Sequence, residues 1–270
     1  MTRSERYVAF LLSTLPKLAA KPLYSPGWRL PPRRFAVLDA AVRRLGDRAG
    51  LALEFGVYRG ASLTRLGRKL RHRTLYGFDS FAGLPKDGRP DWDIDFAVAS
   101  PPSLPANCRL IPGWFRDTIP AFLAEHPGEA VFVNIDCDIY SSAREVLFGL
   151  AGRLRPGSVL YFDELINYDT FLWNEMLALF EFLEETGLGV EWIAVHSRVR
   201  ELAAVFDALD TGRYPHWSAD VAAGYHRPAA AVLTAGNADL GRLGDPAIGE
   251  LAARFDYWTG RFEALQPSAG

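Results

Sequence analysis

Acidic residues close one apolar run after another in this chain: Glu54, Asp79, Asp136 with Asp138, and Asp163 with Glu164. Carboxylates at such positions can accept hydrogen bonds from sugar hydroxyls, hold a hard cation or take a proton. The first of them opens the segment Glu54-Phe55-Gly56-Val57-Tyr58-Arg59-Gly60-Ala61-Ser62, in which an acid and two glycines sit where an apolar run meets a helical pattern. Glycine lets a ligand approach the main chain, and the following helix begins with free amides. The spacing Glu-x-Gly-x-x-x-Gly is not the dinucleotide pattern G-x-G-x-x-G, because Tyr58 and Arg59 stand where a pyrophosphate needs open backbone. A nucleotide cofactor without pyrophosphate is favoured, and S-adenosylmethionine is the usual one. The bland reading is a tight strand-to-helix turn with no ligand.

In an open parallel sheet, ligands sit beyond the carboxyl ends of the strands, so acids that terminate neighbouring strands converge. Asp79 lies about 20 residues past Gly60, the offset at which a carboxylate accepts from ribose hydroxyls. Asp136, Asp163 and Glu164 exceed what a ribose needs, and clustered anions repel without a cation. A divalent ion such as Mg²⁺, with oxygen ligands and room for substrate oxygens, resolves the conflict. Asp138 shares the direction of Asp136 if its strand continues, and otherwise caps the helix that starts near Ser142.

The elements that must position these groups alternate between short apolar runs and longer segments of helical periodicity, the signature of an α/β, doubly wound, mostly parallel sheet. Seven strands are expected, at 51–56, 74–79, 108–113, 130–138, 158–164, 190–196 and 230–235. Helices are expected at 35–45, 62–71, 117–125, 142–153 and 171–186. Residues 34–240 then form one Rossmann-like domain, preceded by an amphipathic helix and a Pro-rich connector (1–33) and followed by a C-terminal helix (241–270). That last helix carries Ile248, Leu251, Phe255, Trp258, Phe262 and Leu265 at helical spacing. It packs on its own domain or serves as a subunit interface.

Two connections are long for a compact domain and suit either lids or solvated loops. One spans 80–106 with Phe81, Trp92, Phe96 and the acids Asp91, Asp93 and Asp95; the other spans 197–228 and includes a short helix near 199–209.

The 270 residues carry a formal net charge of -2, which gives no electrostatic reason to expect nucleic acid. No run reaches the ~20 apolar residues of a membrane-spanning helix. Cys108 and Cys137 lie outside any metal or redox spacing, so both are expected in the core of a protein in a reducing cytoplasm. A small-molecule substrate is the remaining class of partner, with self-association open.

Taken together, five motifs in order over roughly 51–167 resemble the macrocin-type O-methyltransferases, class I enzymes that use S-adenosylmethionine on deoxysugars of natural products. They are the Glu54 to Ser62 segment, Phe78-Asp79-Ser80-Phe81-x-Gly83-Leu84-Pro85, Gly113-Trp114-Phe115-x-Asp117-Thr118-x-Pro120, Asp136-x-Asp138-x-Tyr140-x-Ser142 and Phe162-Asp163-Glu164. The resemblance implies that Glu54, Gly56 and Gly60 line the methionine end of the cofactor, Asp79 its ribose, and Gly113-Trp114-Phe115 its adenine. Val57, Tyr58, Ser62 and Ser80 complete the expected cofactor contacts. It also implies Asp136 as a Mg²⁺ ligand and general base, with Asp163 and the next residue completing the ligand set. Here the chain departs from the pattern, with Glu164 where Asp or Asn is usual.

The reaction expected is in-line methyl transfer to an oxygen held close to the sulfonium. His196 and His216 are alternative bases. The rival readings are a metal-independent O- or N-methyltransferase, a nicotinamide oxidoreductase and a noncatalytic binding protein of the same fold.

Overall fold

The computed structural model describes residues 1–24, 34–85, 95–236 and 244–264. Within them β1 (Leu51–Phe55), β2 (Leu75–Asp79), β3 (Cys108–Pro112), β4 (Ala130–Ile135), β5 (Val159–Phe162), β6 (Leu188–Val195) and β7 (Ala229–Ala235) form one sheet. The order is β3-β2-β1-β4-β5-β7-β6. Every pairing from β3 across to β5 is parallel, and β7 runs antiparallel to both β5 and β6. This is the doubly wound, mostly parallel sheet expected from the sequence, and all seven expected strands are in it.

The central strand β4, Ala-Val-Phe-Val-Asn-Ile, is buried at every position, as a parallel strand covered on both faces must be. On one face lie α2 (Ala36–Leu45) and α3 (Ala61–Lys69), with Leu38, Leu63 and Leu66 against Ala52, Phe132 and Tyr161. The other face is deeper and holds α4 (Phe115–Glu125), α5 (Tyr140–Gly149) and α6 (Glu175–Thr186), joined by α1 (Arg3–Ala19) and α9 (Ile248–Ala264). α1 starts at a capping box, in which the Thr2 hydroxyl accepts from the Glu5 amide at 3.1 Å and the Glu5 carboxylate from the Thr2 amide at 2.7 Å. Its Tyr7 ring packs 5.0 Å from Phe180 of α6 and 5.2 Å from Phe255 of α9. The two terminal helices therefore bury their apolar faces against each other and against the same domain. Removing a ring such as Phe255 from this contact costs about 3–5 kcal/mol. Leu265 lies outside the described residues.

Several expected boundaries shift. The strands expected at 130–138 and 158–164 end at Ile135 and Phe162, so the acids stand in the turns beyond the ladder. Asp138 neither continues its strand nor caps a helix: its φ is 65° and the residue that opens α5 is Ile139. The helix expected from 171 begins at Glu175, after a single 3₁₀ turn at Phe171–Trp173 that Asn174, at φ -111° and ψ -128°, breaks off. The segment 197–228 contains α7 (Leu202–Asp210) and α8 (Trp217–Ala222); the second was not expected. Of the connector, residues 22–24 run alongside β6, with the Leu23 amide on the Val195 carbonyl at 2.9 Å. Pro26, Pro31, Pro32, Asp91, Trp92 and Asp93 lie outside the described residues.

Candidate functional site

Strand register decides where the acids meet. Phe55 is level with Phe78 of β2 and Ile135 of β4, and Ile135 with Phe162 of β5. One residue further, the Gly56 amide bonds the Phe78 carbonyl at 2.9 Å, the Asp136 amide that of Phe55 at 2.9 Å and the Asp163 amide that of Ile135 at 3.1 Å. Gly56, Asp79, Asp136 and Asp163 thus stand along one rim of the sheet. They line a cavity of about 1260 Å³, larger than most small-molecule sites, with Glu164 and Asp138 beside them.

At the β1 and β2 side the cavity is built from main chain. Gly56 has φ 91°, and a Cβ there would lie 1.7 Å from the Asp136 carbonyl oxygen, so no other residue fits between β1 and β4. The Asp79 carboxylate accepts the amides of Val57 at 2.8 Å, Tyr58 at 2.7 Å and Phe81 at 2.7 Å. Tyr58 and Phe81 are both left-handed, with φ of 49° and 56°, a conformation that costs a bulky residue about 1–2 kcal/mol. One carboxylate therefore holds two strained aromatics. Gly113, Trp114 and Phe115 complete this end from the start of α4, and Ser62 and Ser80 line it as well.

Glu54 and Gly60 sit behind this wall rather than in the cavity lining. Glu54 is fully buried and accepts from Asn134 Nδ2 at 2.7 Å and Ser62 Oγ at 3.0 Å. Burial pushes its carboxyl up to about 8, against the pull of those two bonds. Gly60, at φ 75°, opens α3, and a Cβ there would press on Leu104 at 2.8 Å.

The β4 and β5 side is built from charge. Burial, then Asp163 and the acids around it, raise the Asp136 carboxyl well above the usual range. Burial and Asp163 push Asp138 up to about 7, and burial likewise raises Asp163. Glu164 goes up to about 8 through burial, although Arg227 draws it down. Glu175, at the start of α6, is a fifth carboxyl beside this group and, unlike the four half-buried acids of the rim, is fully buried. Among the described residues, no set of three or more His, Cys, Asp or Glu is placed to hold a metal ion. Instead Arg227 Nη1 donates to Glu164 Oε2 at 2.5 Å, and its guanidinium carbon lies 5.2 Å from the Tyr168 ring centre.

Two imidazoles close this end. His196 and His226 stack with ring centres 3.8 Å apart, both lining the cavity. Burial lowers both, His196 to about 4, so both are neutral near pH 7. His196 Nδ1 has no hydrogen-bond partner among the described residues. His216 is exposed at the start of α8, outside the lining.

Sequence reasoning missed Arg34, Glu175, His226 and Arg227. All but Glu175 line the cavity; none lies in a motif, and only the fold brings residues 226 and 227 back beside 164. The two cysteines are free and buried, as expected, and Cys137 also reaches the cavity. No helix among the described residues is long and apolar enough to cross a membrane.

Residues 53–165 match the family described as a methyltransferase domain. The chain is similar to the 8-demethyl-8-(2,3-dimethoxy-alpha-L-rhamnosyl)-tetracenomycin-C 4'-O-methyltransferase of Streptomyces olivaceus, 29% identical over 140 residues, 43% of this chain and 52% of that protein. It is 31% identical over 142 residues to the mycinamicin III 3''-O-methyltransferase of Micromonospora griseorubida, again 43% of this chain and 55% of that protein. The chain thus spans about half the length of the curated relatives it matches. Among solved structures, a calicheamicin methyltransferase, CalS11, is 24% identical with a TM-score of 0.45, covering 64% of this chain and 83% of its own.

Proposed function

We propose that the chain, whose residues 53–165 match the methyltransferase-domain family, moves a methyl group from S-adenosylmethionine to a hydroxyl of a small molecule, a sugar of a natural product being the favoured acceptor. The observation that carries this reading is the shared rim: one cavity joins a main-chain cradle to a cluster of carboxyls. Both curated relatives are named as O-methyltransferases, one of them of a rhamnosyl-bearing tetracenomycin, which supports the acceptor class. The two buried thiols suit a reducing cytoplasm.

Asp79 is the ribose ligand in this reading. A carboxylate offers about four acceptor positions, three of which serve the amides of Val57, Tyr58 and Phe81, leaving capacity for a hydroxyl. Val57, Tyr58, Ser62 and Ser80 surround the sugar and methionine portions, and Gly113, Trp114 and Phe115 the adenine. Tyr58 and Arg59 line the cavity where a G-x-G-x-x-G turn would offer open backbone to a pyrophosphate, which disfavours a nicotinamide cofactor.

Held in line with the sulfonium, the acceptor oxygen forms its bond to the methyl carbon as the carbon–sulfur bond breaks. The hydroxyl proton goes to the deprotonated Asp136 carboxylate, which lines the cavity just past the end of β4. The second reading gives that proton to His196, favoured by its unpartnered Nδ1 and neutral ring.

The Mg²⁺ site expected at Asp136, Asp163 and Glu164 does not fit the arrangement, because Glu164 is committed to Arg227 and the three do not form a ligand set. No step is derived through a metal.

Transfer of a labelled methyl group from S-adenosylmethionine to a panel of glycosylated polyketides tests the reaction class. Asp136→Ala is expected to lower turnover at least about 100-fold with the affinity for S-adenosylhomocysteine nearly unchanged. Retained turnover in that variant, with loss in His196→Ala, shifts the base to the histidine.

A further inference from the structure

Partly buried carboxylates clustered at one rim require a counter-charge, and the molecule has one of its own. Arg227 meets Glu164 at 2.5 Å, and its attraction is felt at Asp138 and Asp163 as well. Arg34, at the near edge of the same cavity, acts on Asp163 from another element.

The arginine is fixed in place by its main chain. The Arg227 carbonyl accepts the amides of both Leu165 and Ile166, each at 3.2 Å, which ties it to the turn that carries the acids. On the other side of that turn, Asn167 Nδ2 donates at 2.8 Å to the carbonyls of Arg198 and His226. The Tyr168 ring under the guanidinium completes the seat. Glu164, one methylene longer than the Asp or Asn otherwise expected at that position, supplies the carboxylate that meets it.

We propose that Arg227, assisted by Arg34, supplies at the acceptor end the positive charge that a divalent cation would otherwise supply, and that this site takes a hydroxyl-bearing acceptor without binding a metal. A dication entering the cluster would have to displace the guanidinium from Glu164 and bear its repulsion. This inference rests on the reading of the β4 and β5 side as the acceptor site.

The test uses the full chain with saturating S-adenosylhomocysteine and Mn²⁺ as the probe, because its free paramagnetic resonance signal falls on binding. The wild-type protein is expected to leave the signal unchanged up to a tenfold excess of protein over ion at about 0.1 mM, a range that captures sites tighter than millimolar. Arg227→Gln, folded as judged by unchanged S-adenosylhomocysteine affinity, is expected to take up one Mn²⁺. Stoichiometric Mn²⁺ binding by the wild type overturns the proposal. So does a folded Arg227→Gln that takes up none, since the guanidinium would then not be what occupies the place. Failure to bind S-adenosylhomocysteine at all counts against the methyltransferase reading itself, while the Mn²⁺ titration of the wild type still stands.

Discussion

The two ends of the cavity are made of different materials. At the β1 and β2 side, glycines and main-chain amides are held by Asp79 through three local bonds within about 25 residues of sequence. At the β4 and β5 side, five carboxyls, one fully and four partly buried, cluster and are balanced by arginine and by protons, and the arginine comes from a distant segment, with Arg227 and Glu164 at a separation of 63. The first end depends on shape and the second on charge. A ligand portion that must be placed in one geometry suits the former, and one whose charge changes during reaction suits the latter.

The largest effect is expected where shape is tightest. Gly56→Ala places a methyl group 1.7 Å from the Asp136 carbonyl oxygen, so it should destabilise the fold by more than about 3 kcal/mol, read by thermal or denaturant unfolding. A well-folded variant with full cofactor affinity would show that the two strand ends are not in contact.

Next comes Asp79→Ala, which leaves three amides without their acceptor and frees two left-handed aromatics. Affinity for S-adenosylhomocysteine should fall about 100-fold by calorimetry, with a stability loss of about 2 kcal/mol. Loss of stability with no loss of affinity would make Asp79 a scaffold residue alone.

The charged end should respond to pH instead. Glu164 rises from the ordinary glutamate value to about 8 and Asp138 to about 7, joined by Glu54 behind the other wall at about 8, so the folded state binds more protons than the unfolded chain between roughly pH 4 and 8. Their contribution is fully present below that window and is lost as pH rises through it. The ligand-free protein should therefore melt about 5 °C or more higher at pH 6 than at pH 8.5, and Glu54→Gln should flatten the dependence. A melting point that rises with pH over this window contradicts the buried-carboxyl account.

Smallest is Trp114→Ala, which removes one face of the expected adenine pocket and should weaken S-adenosylhomocysteine binding by about fivefold, with no change in the pH dependence of stability. A change in that pH dependence would mean the two ends are coupled.

The same contrast explains what the sequence disclosed. Strand existence and order of types were legible because β1, β4 and β5 are short apolar runs separated by helical periodicity, and the acids that end them read as convergent from the topology of parallel sheets. Gly56 was legible because its spacing to Glu54 and Gly60 is local. Arg227 and His226 were not, since nothing local distinguishes them; only the antiparallel return of β7 beside β5, starting at Ala229, brings them to the rim. The handedness of Asp138 was equally hidden, because a strand pattern carries no signal of the residue at which the ladder stops.

Titration calorimetry of the wild-type chain with S-adenosylhomocysteine and, separately, with NAD tests the central claim most directly. The account predicts one S-adenosylhomocysteine per chain, bound about 100-fold more weakly by Asp79→Ala, and no heat with NAD. Binding of NAD at the same residues, or of neither compound by a folded protein, contradicts it.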